Sequence, residues 1–365
     1  MDLFTHPDFD DHELVIACTD RASGLRAFIA VHDTSLGPGM GGCRMQHYAS
    51  EAAALRDALR LSRAMSYKYA ASGLSYGGAK AVIMDVPGTG TRNARLLAFA
   101  QILERLGGLY TTAEDAGIDT ADVRLISTQT RHVRNLPLEE TGDGALCTAW
   151  GVLHGIRAAL EHRDMPGFAG RTVAVEGLGK VGMALCGLLH QAGAKLLYYD
   201  IDAARVAQAR EAYGGVAVPA STIHKAEADV YAPCALGATL NPATVPEIRA
   251  RIVAGAANNQ LSDAAQDRIL WERGITYCPD YVVNAGGVLS VAPRGKVYAR
   301  ADALARVAGI LDTTRQVLAL SRSERIPSGA AADRLALGRS RRPLPGHQAA
   351  SRAPAVLQGQ ASVAD

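Results

Sequence analysis

The chain has 365 residues, 48% of them hydrophobic and 20% charged, with a net charge of +2. That length exceeds what one core usually supports and implies two domains, while the near-balanced charge excludes a general electrostatic attraction to nucleic acid or to anionic membrane. Charged and polar residues break every apolar run before it reaches membrane-spanning length, and the start Met1 to Pro7 has neither a basic nor an apolar signal segment. The six cysteines (Cys18, Cys43, Cys147, Cys186, Cys234, Cys278) are scattered, mostly in apolar runs and without a Cys-x-x-Cys pair. Reduced thiols in a cytoplasmic protein fit this pattern; disulfides or a metal site would need a spacing that is absent.

In chain order, His12 to Cys18 and Leu25 to Val31 are expected as two strands of a hairpin turning at Ala22-Ser23-Gly24. After the break Gly37-Pro38-Gly39-Met40-Gly41-Gly42, Ser50 is placed to cap a helix with Glu51 in its first turn. Ala54, Ala58, Leu61 and Met65 then recur on one face, and the helix is expected to end near Lys68. The glycines of Gly73-Leu74-Ser75-Tyr76-Gly77-Gly78-Ala79-Lys80 let backbone approach a ligand and deliver Lys80 at the mouth of a strand, Ala81 to Met84. Because Tyr69-Ala70-Ala71-Ser72 is small and nearly uncharged, Lys68 and Lys80 are expected in one tight pocket, where crowding pushes at least one toward neutrality. A near-neutral lysine is a usable general base and a charged one clamps a carboxylate; two ordinary surface lysines are the alternative. A helix from about Arg92 to Leu106 follows, then a strand from Leu109 to Ala113 that empties into Glu114-Asp115, at a strand's carboxyl end where chemistry often sits.

From about residue 145 the pattern changes. An apolar helix from Ala145 to Leu160 precedes a regular alternation of strand and helix, which predicts a doubly wound parallel sheet. The strand Thr172 to Glu176 runs into Gly177-Leu178-Gly179-Lys180-Val181-Gly182, a helix follows through Leu189, and the next strand, Leu196 to Tyr199, ends in Asp200, 23 residues after Gly177. In that context the glycines hold a pyrophosphate against the helix N-terminus, and Asp200 accepts from the adenosine ribose while repelling a 2′-phosphate, so NAD is the expected cofactor. Further strands are expected at Asp229 to Pro233, Ile252 to Gly255 and Ile275 to Tyr277, with Cys234 to Gly237, Ala256 to Asn259 and Pro279 to Tyr281 lining the crevice. Asn284 ahead of Gly286-Gly287 either holds a substrate carboxylate or caps a helix. From about Ser328 the chain turns rich in Ala, Arg, Pro, Ser and Gln without apolar periodicity, and Arg339 to Asp365, with Arg341 and Arg342, is expected as a mobile tail. The expected division is 1–143 for a substrate domain, 144–327 for a dinucleotide-binding domain of Rossmann type with returning helices, and 328–365 for the tail, with the active cleft between the two domains.

These residues together resemble the amino-acid dehydrogenases of the glutamate/leucine/phenylalanine/valine family, and within it most closely the bacterial leucine dehydrogenases. The resemblance spans roughly residues 10 to 335. It is carried by Pro38 to Arg44, Tyr67-Lys68 with Gly77 to Lys80, Thr112 to Asp115, Ala232 to Gly237, Gly255 to Gln260 and Asn284 to Gly287. It implies that Lys80 is the catalytic base, Asp115 the active-site aspartate and Lys68 the substrate-carboxylate lysine, with Gly41, Gly42 and Asn284 contacting substrate. It also implies cofactor contacts from Thr148, Ala235 and Asn258 beside the glycine loop. Three stretches depart from the family pattern: Arg134 stands where leucine dehydrogenases have a threonine, Gly142 to Thr148 keeps the threonine of a cofactor loop but loses its serine, and the chain diverges after about Arg339.

The function implied is NAD-dependent, reversible oxidative deamination of a branched-chain aliphatic L-amino acid to the 2-oxo acid and ammonia, by a homo-oligomer. Met40, Ala113, Val288 and Val291 are the expected side-chain pocket, with no partner for a γ-carboxylate unless Arg134 points into it. A phenylalanine or valine dehydrogenase is the near alternative. A non-catalytic NAD-binding regulator would have no use for Lys68, Lys80 and Asp115, and a hydroxy-acid dehydrogenase would need a histidine beside the cofactor motif.

Overall fold

A computed structural model describes residues 3–85, 91–134, 144–291 and 299–340. Strands β1 (Leu14–Asp20) and β2 (Leu25–Asp33) form the expected antiparallel hairpin. After β3 (Gly39–Met40) and β4 (Cys43–Gln46) comes helix α1 (Glu51–Ala71), capped by Ser50, whose side chain accepts the Ala53 N–H at 3.1 Å. The helix runs to Ala71, so Lys68 lies within its last turn and is turned inward with Tyr69, Ala70 and Ala71. Strand β5 (Gly77–Met84), α2 (Arg92–Arg105), β6 (Tyr110–Thr111) and α3 (Thr120–Ser127) complete this half. The strand expected over Leu109 to Ala113 is shorter than its apolar run implied. Beyond Thr111 only Thr112 pairs, in a single bridge to Val133.

The first sheet has the order β1-β2-β5-β3-β6, with β4 also paired to β5. β5 is its centre and is buried along its whole length, which is why it reads as an unbroken apolar and small-residue run. Two close approaches put the chemistry in place. A Cβ on Gly41 would run into the Ala79 carbonyl oxygen, and one on Gly78 into Ser66 of α1, so both positions require glycine for β3, β5 and α1 to meet.

The second sheet is wholly parallel, built from β7 (Thr172–Glu176), β8 (Lys195–Tyr199), β9 (Val216–Ala217), β10 (Val230–Pro233), β11 (Ile252–Val253) and β12 (Thr276–Tyr277). Its order, β12-β11-β10-β7-β8-β9, reverses direction between β7 and β10, the doubly wound arrangement that opens a crevice at the strands' carboxyl ends. Helices α4 (Gly144–His162), α5 (Lys180–Gln191), α6 (Ala203–Tyr213) and α7 (Ala265–Glu272) flank it, and α8 (Asp280–Val283), α9 (Gly286–Ser290) and α10 (Arg300–Glu324) return across it. Gly151 and Gly155 let α4 press against Val283 and the α10 residue Ile310. The expected domain boundary at 143/144 falls at the edge of residues 135–143, outside the described residues. Among the described residues no helix is long and apolar enough to cross a membrane.

One expectation is overturned. Residues from Ser328 form helix α11 (Ser328–Ser340), with Arg339 in its last turn, rather than the beginning of a tail; 341–365 lie outside the described residues. Its buried face is made of Ala331, Ala332 and Ala336, packed on Tyr67, Ala70 and Ala71 of α1 and on Val317 of α10. Alanines this small leave no apolar stripe to read in the sequence, yet they allow close helix contact. The helix is also tied at its start, where Ser328 donates to the Tyr277 carbonyl at 2.6 Å and Asp267 accepts the Ala330 N–H at 3.3 Å. We expect Ala332→Asp, which puts an unpaired charge into this fully buried contact, to cost at least about 2 kcal/mol of stability in a denaturant titration. A midpoint equal to that of the unaltered protein would mean that α11 is undocked.

Candidate active site

The glycine pair at the start of β5 brings Lys80 up from beneath the sheet, and the loop after β6 brings Asp115 to meet it. The Lys80 ammonium lies 2.8 Å from Asp115 Oδ2, and both side chains are largely buried. Arg44, from β4, places its Nε 3.1 Å from the same oxygen and its Nη1 3.0 Å from Asp57 Oδ2, and Tyr48 donates to that Asp57 oxygen at 2.7 Å. Burial pushes the Asp115 carboxyl up, but the Lys80 and Arg44 cations outweigh it and hold it at about 2. Asp115 is therefore a carboxylate at every pH at which the fold is used.

Lys68 is buried in the same region and, among the described residues, has no carboxylate at ion-pair distance. Burial pushes it down to about 8, an effect that Asp280 from α8 opposes and that Lys80 reinforces. Asp280 is itself raised by burial, and it accepts the Gln260 N–H at 3.1 Å. The two lysines thus differ in kind. Lys80 is fixed by a carboxylate, whereas Lys68 is a buried cation with no anion at ion-pair distance among the described residues, which is the state a ligand carboxylate would relieve.

Gly42 is pressed against the Glu114 carbonyl and Asp115 Cβ, and Gly41 donates to Thr111 O at 3.2 Å, so this backbone forms one wall beside the Lys80–Asp115 pair. Met40 sits between Gly78 and Thr111 in the sheet register. With Tyr69, Tyr76, Val288 and Val291 it lines a cleft of about 1010 Å³, and Arg134 lines the same cleft. Ala113 is buried, but it is absent from that wall; its carbonyl is used by the Cys43 N–H at 2.9 Å. Asn284 differs from the sequence reading. Its amide donates to the Ala256 carbonyl (3.2 Å) and to Asn258 Oδ1 (2.8 Å), which uses both N–H bonds and leaves no donor for a carboxylate. Its buried carbonyl oxygen, with no partner among the described residues, is the free group. Nor does it cap α9, whose N-cap is Ala285.

Across the cleft, Gly177 has a φ of +97° and packs against Ala235, where a Cβ would come within 2.8 Å of the Ala235 nitrogen. A Cβ on Gly182 would strike the Gly177 carbonyl, so strand, turn and helix pack as the fingerprint requires. Gly179 caps α5 without a side-chain hydrogen bond, leaving the N–H groups at Lys180, Val181 and Gly182 facing outward for a phosphate. The Asp200 carboxylate fixes the turn by accepting the Leu178 N–H at 2.6 Å and the Asp202 N–H at 2.8 Å. Thr148 donates to Gly144 O at 2.8 Å and stands beside Gly287. Residues Gly142 and Asp143 of its loop lie outside the described residues. This cradle of bare backbone, a helix start and an acid at the next strand's end fits a dinucleotide.

Arg44, Asp57 and Tyr48 were not selected from the sequence as site residues, although Arg44 ends one of the motifs quoted above. Nothing local marks a residue of β4 as the partner of an acid 71 positions later. Tyr69 and Tyr76 were missed for the same reason, and Asp280, expected along the crevice, was not expected to oppose the burial of Lys68.

Comparisons with known proteins agree with this geometry. Residues 12–132 match the family model described as Glu/Leu/Phe/Val dehydrogenase, dimerisation domain, and residues 141–203 and 195–292 match Glutamate/Leucine/Phenylalanine/Valine dehydrogenase. The chain is 43% identical over 339 residues to a leucine dehydrogenase of Geobacillus stearothermophilus, covering 92% of each chain. It is also 43% identical over 337 residues to a valine dehydrogenase of Streptomyces albus, covering 91% of this chain and 93% of that one. Among solved structures, an L-tryptophan dehydrogenase from Nostoc punctiforme superposes with a TM-score of 0.77 at 39% identity, over 90% of this chain and 96% of that one. Matches of this extent, over a chain that carries both a buried lysine–aspartate pair and a glycine-rich cradle, show that it belongs to the glutamate/leucine/phenylalanine/valine dehydrogenase family of amino-acid dehydrogenases.

Proposed function

We propose that this enzyme catalyses the reversible oxidative deamination of branched-chain aliphatic L-amino acids, with NAD as cofactor. The observation that carries the reading is the Lys80–Asp115 pair at 2.8 Å, with the buried Lys68 close enough to feel both charges, while Met40, two residues before the Gly42 that packs on Asp115, lines a cleft with Val288 and Val291. Leucine and valine dehydrogenases at 43% identity support the aliphatic assignment. Asp200 supports NAD, because a 2′-phosphate would lie against a carboxylate whose position two backbone N–H groups fix. Six cysteines outside any disulfide fit a cytoplasmic enzyme, and a homo-oligomer accords with the dimerisation domain of the family.

In this mechanism Lys68 pairs with the substrate carboxylate and so directs Cα toward the crevice of the second sheet. When bound there, nicotinamide supplies the hydride acceptor. Lys80 first releases its own proton to solvent, and the neutral amine so formed takes a proton from the water that attacks the substrate iminium carbon. Asp115, a carboxylate at rest, accepts the proton of the substrate amine and returns it as ammonia leaves. The acceptor oxygen of Asn284 suits an N–H donor, so it assists at the amino group rather than at the carboxylate. Gly41 and Gly42 let this backbone pack directly on Ala79 and on the Glu114–Asp115 turn, which holds the wall beside the reacting pair.

Lys80→Ala is expected to reduce kcat by about 10²- to 10⁴-fold while leaving NAD affinity close to that of the unaltered enzyme, and to lower the melting temperature, because the buried Asp115 carboxylate then keeps only Arg44. More than about a tenth of kcat surviving would remove Lys80 from the role of base.

Lys68 also gives a proton-linkage prediction. Its folded value of about 8 is below the ordinary lysine value, so the free enzyme loses this proton as pH rises through 8, and a bound carboxylate pulls it back. Binding of 4-methyl-2-oxopentanoate at a pH just above that value should therefore take up protons, up to about one per site. Calorimetry in buffers of different ionisation enthalpy reads this number. Uptake that persists in Lys68→Met would assign it to another group.

Substrate choice is tested by NAD(P)H formation with a panel of L-amino acids. Leucine, isoleucine and valine should exceed glutamate by more than about a hundredfold in kcat/KM, since an unpaired carboxylate against Met40, Val288 and Val291 costs several kcal/mol. NAD should exceed NADP in the same assay. If glutamate were best in the unaltered enzyme and lost its lead in Arg134→Thr, the aliphatic reading would give way to an acidic one; a preference for NADP would remove the role given to Asp200.

A further inference from the structure

Arg134 reaches the substrate cleft, but it spends a donor there on protein. Its Nη2 donates to the Tyr76 hydroxyl at 2.9 Å, and its guanidinium carbon lies 5.9 Å from the Tyr76 ring centroid. The Tyr76 ring in turn meets the fully buried Tyr69 ring edge-on, at 5.5 Å between centroids and 60° between planes. Tyr69 packs with Met40 and Met65, and Tyr76 and Val288 close on that cluster. The aromatic pair stands close in the chain to the two lysines, Tyr69 in α1 and Tyr76 in the loop that leads into β5. Tyr69 follows Lys68 directly in α1, and Tyr76 precedes Lys80 by four residues, about 13 Å along β5, with Met40 beside Gly78 between them.

The two ends of the hydrogen bond are held differently. Arg134 is anchored through its backbone, its N–H donating to Thr112 O at 2.7 Å while the neighbouring His132 carbonyl accepts from Thr112 at 3.0 Å. Tyr76 lies in the loop after α1, which turns at Gly73 with a φ of +66° and nothing within 4 Å of its Cβ position. Its ring is half-buried and would swing about its own torsions without the hydroxyl contact. No carboxylate is found among the described residues lining this cleft.

We propose that Arg134 is a positioning residue for substrate selection: by pinning Tyr76 against Tyr69 it fixes the end wall of the side-chain cleft, and the pair sets how large an amino-acid side chain is accepted. The inference rests on the amino-acid dehydrogenase reading, and it assigns Arg134 an indirect role, through Tyr76, rather than direct contact with substrate. A ring held in place refuses bulk; a ring set free yields to it.

The test is a double-mutant cycle on the full-length enzyme, read as kcat/KM for phenylalanine and tryptophan relative to leucine. Tyr76→Phe keeps the ring and removes only the hydroxyl. It should raise the phenylalanine-to-leucine ratio about tenfold, the ~1.4 kcal/mol equivalent of one charge-assisted hydrogen bond. Arg134→Ala should do the same, and the double variant should go no further than either, because both remove one interaction. Tyr76→Ala should raise the ratio further, toward a hundredfold. Unchanged ratios in the single variants would overturn the proposal, and so would an Arg134→Ala effect undiminished in the Tyr76→Phe background, or a change confined to glutamate, either of which would mean that Arg134 touches substrate directly. Should the unaltered enzyme turn over no amino acid, the functional reading fails, and the same cycle is then read from the affinities of phenylpyruvate and 4-methyl-2-oxopentanoate.

Discussion

One carboxylate oxygen organises the catalytic half of this enzyme. Asp115 Oδ2 accepts from Lys80 at 2.8 Å and from Arg44 at 3.1 Å in a largely buried setting, so the loop after β6, the centre of β5 and strand β4 converge on a single atom. Removing one member of such a cluster leaves a buried charge without its partner, which typically costs about 3–5 kcal/mol. Arg44 is held in turn by Asp57 of α1, and so the long helix is tied to the same point. The arrangement keeps a carboxylate in place and ionised, next to an amine whose proton can move.

Close backbone approach makes that convergence geometrically possible. Gly41 against Ala79, Gly42 against Glu114 and Gly78 against Ser66 leave no room for a β-carbon, and each shortens the distance between elements that carry charged groups. The same device recurs in the second sheet, at Gly177 against Ala235 and Gly255 against Pro233. Both sheets thus use bare backbone to bring their elements together. In the mechanism proposed above, the first sheet supplies the chemistry and the second the cofactor cradle.

Selectivity rests on softer contacts. Met40, Val288 and Val291 are replaceable by other apolar residues at little energetic cost, and hydrophobic pockets discriminate weakly on size alone. A tyrosine ring held from two sides is stiffer than an aliphatic wall. Arg134 supplies one of those two holds from outside the apolar surface. Family membership thus accounts for the reaction, while the choice of side chain is assigned above to the contacts around Tyr76.

The sequence by itself determined the elements whose signals are local. The Ser50 cap, the strand Thr172–Glu176 running into the glycine fingerprint, and the acid Asp200 at the end of the following strand are readable because each depends on neighbours within one turn or one βαβ unit. Lys68, Lys80 and Asp115 were legible as candidates from glycine context, strand ends and family resemblance. Only the tertiary structure decided which partners they meet: Arg44 on Asp115, Tyr76 under Arg134, the donors of Asn284 committed to Ala256 and Asn258, and α11 docked where a tail was expected. These depend on contacts between residues tens to hundreds of positions apart, and on alanines whose burial leaves no periodic stripe. Distance along the chain hides the first, and the small gain from burying a methyl group hides the second.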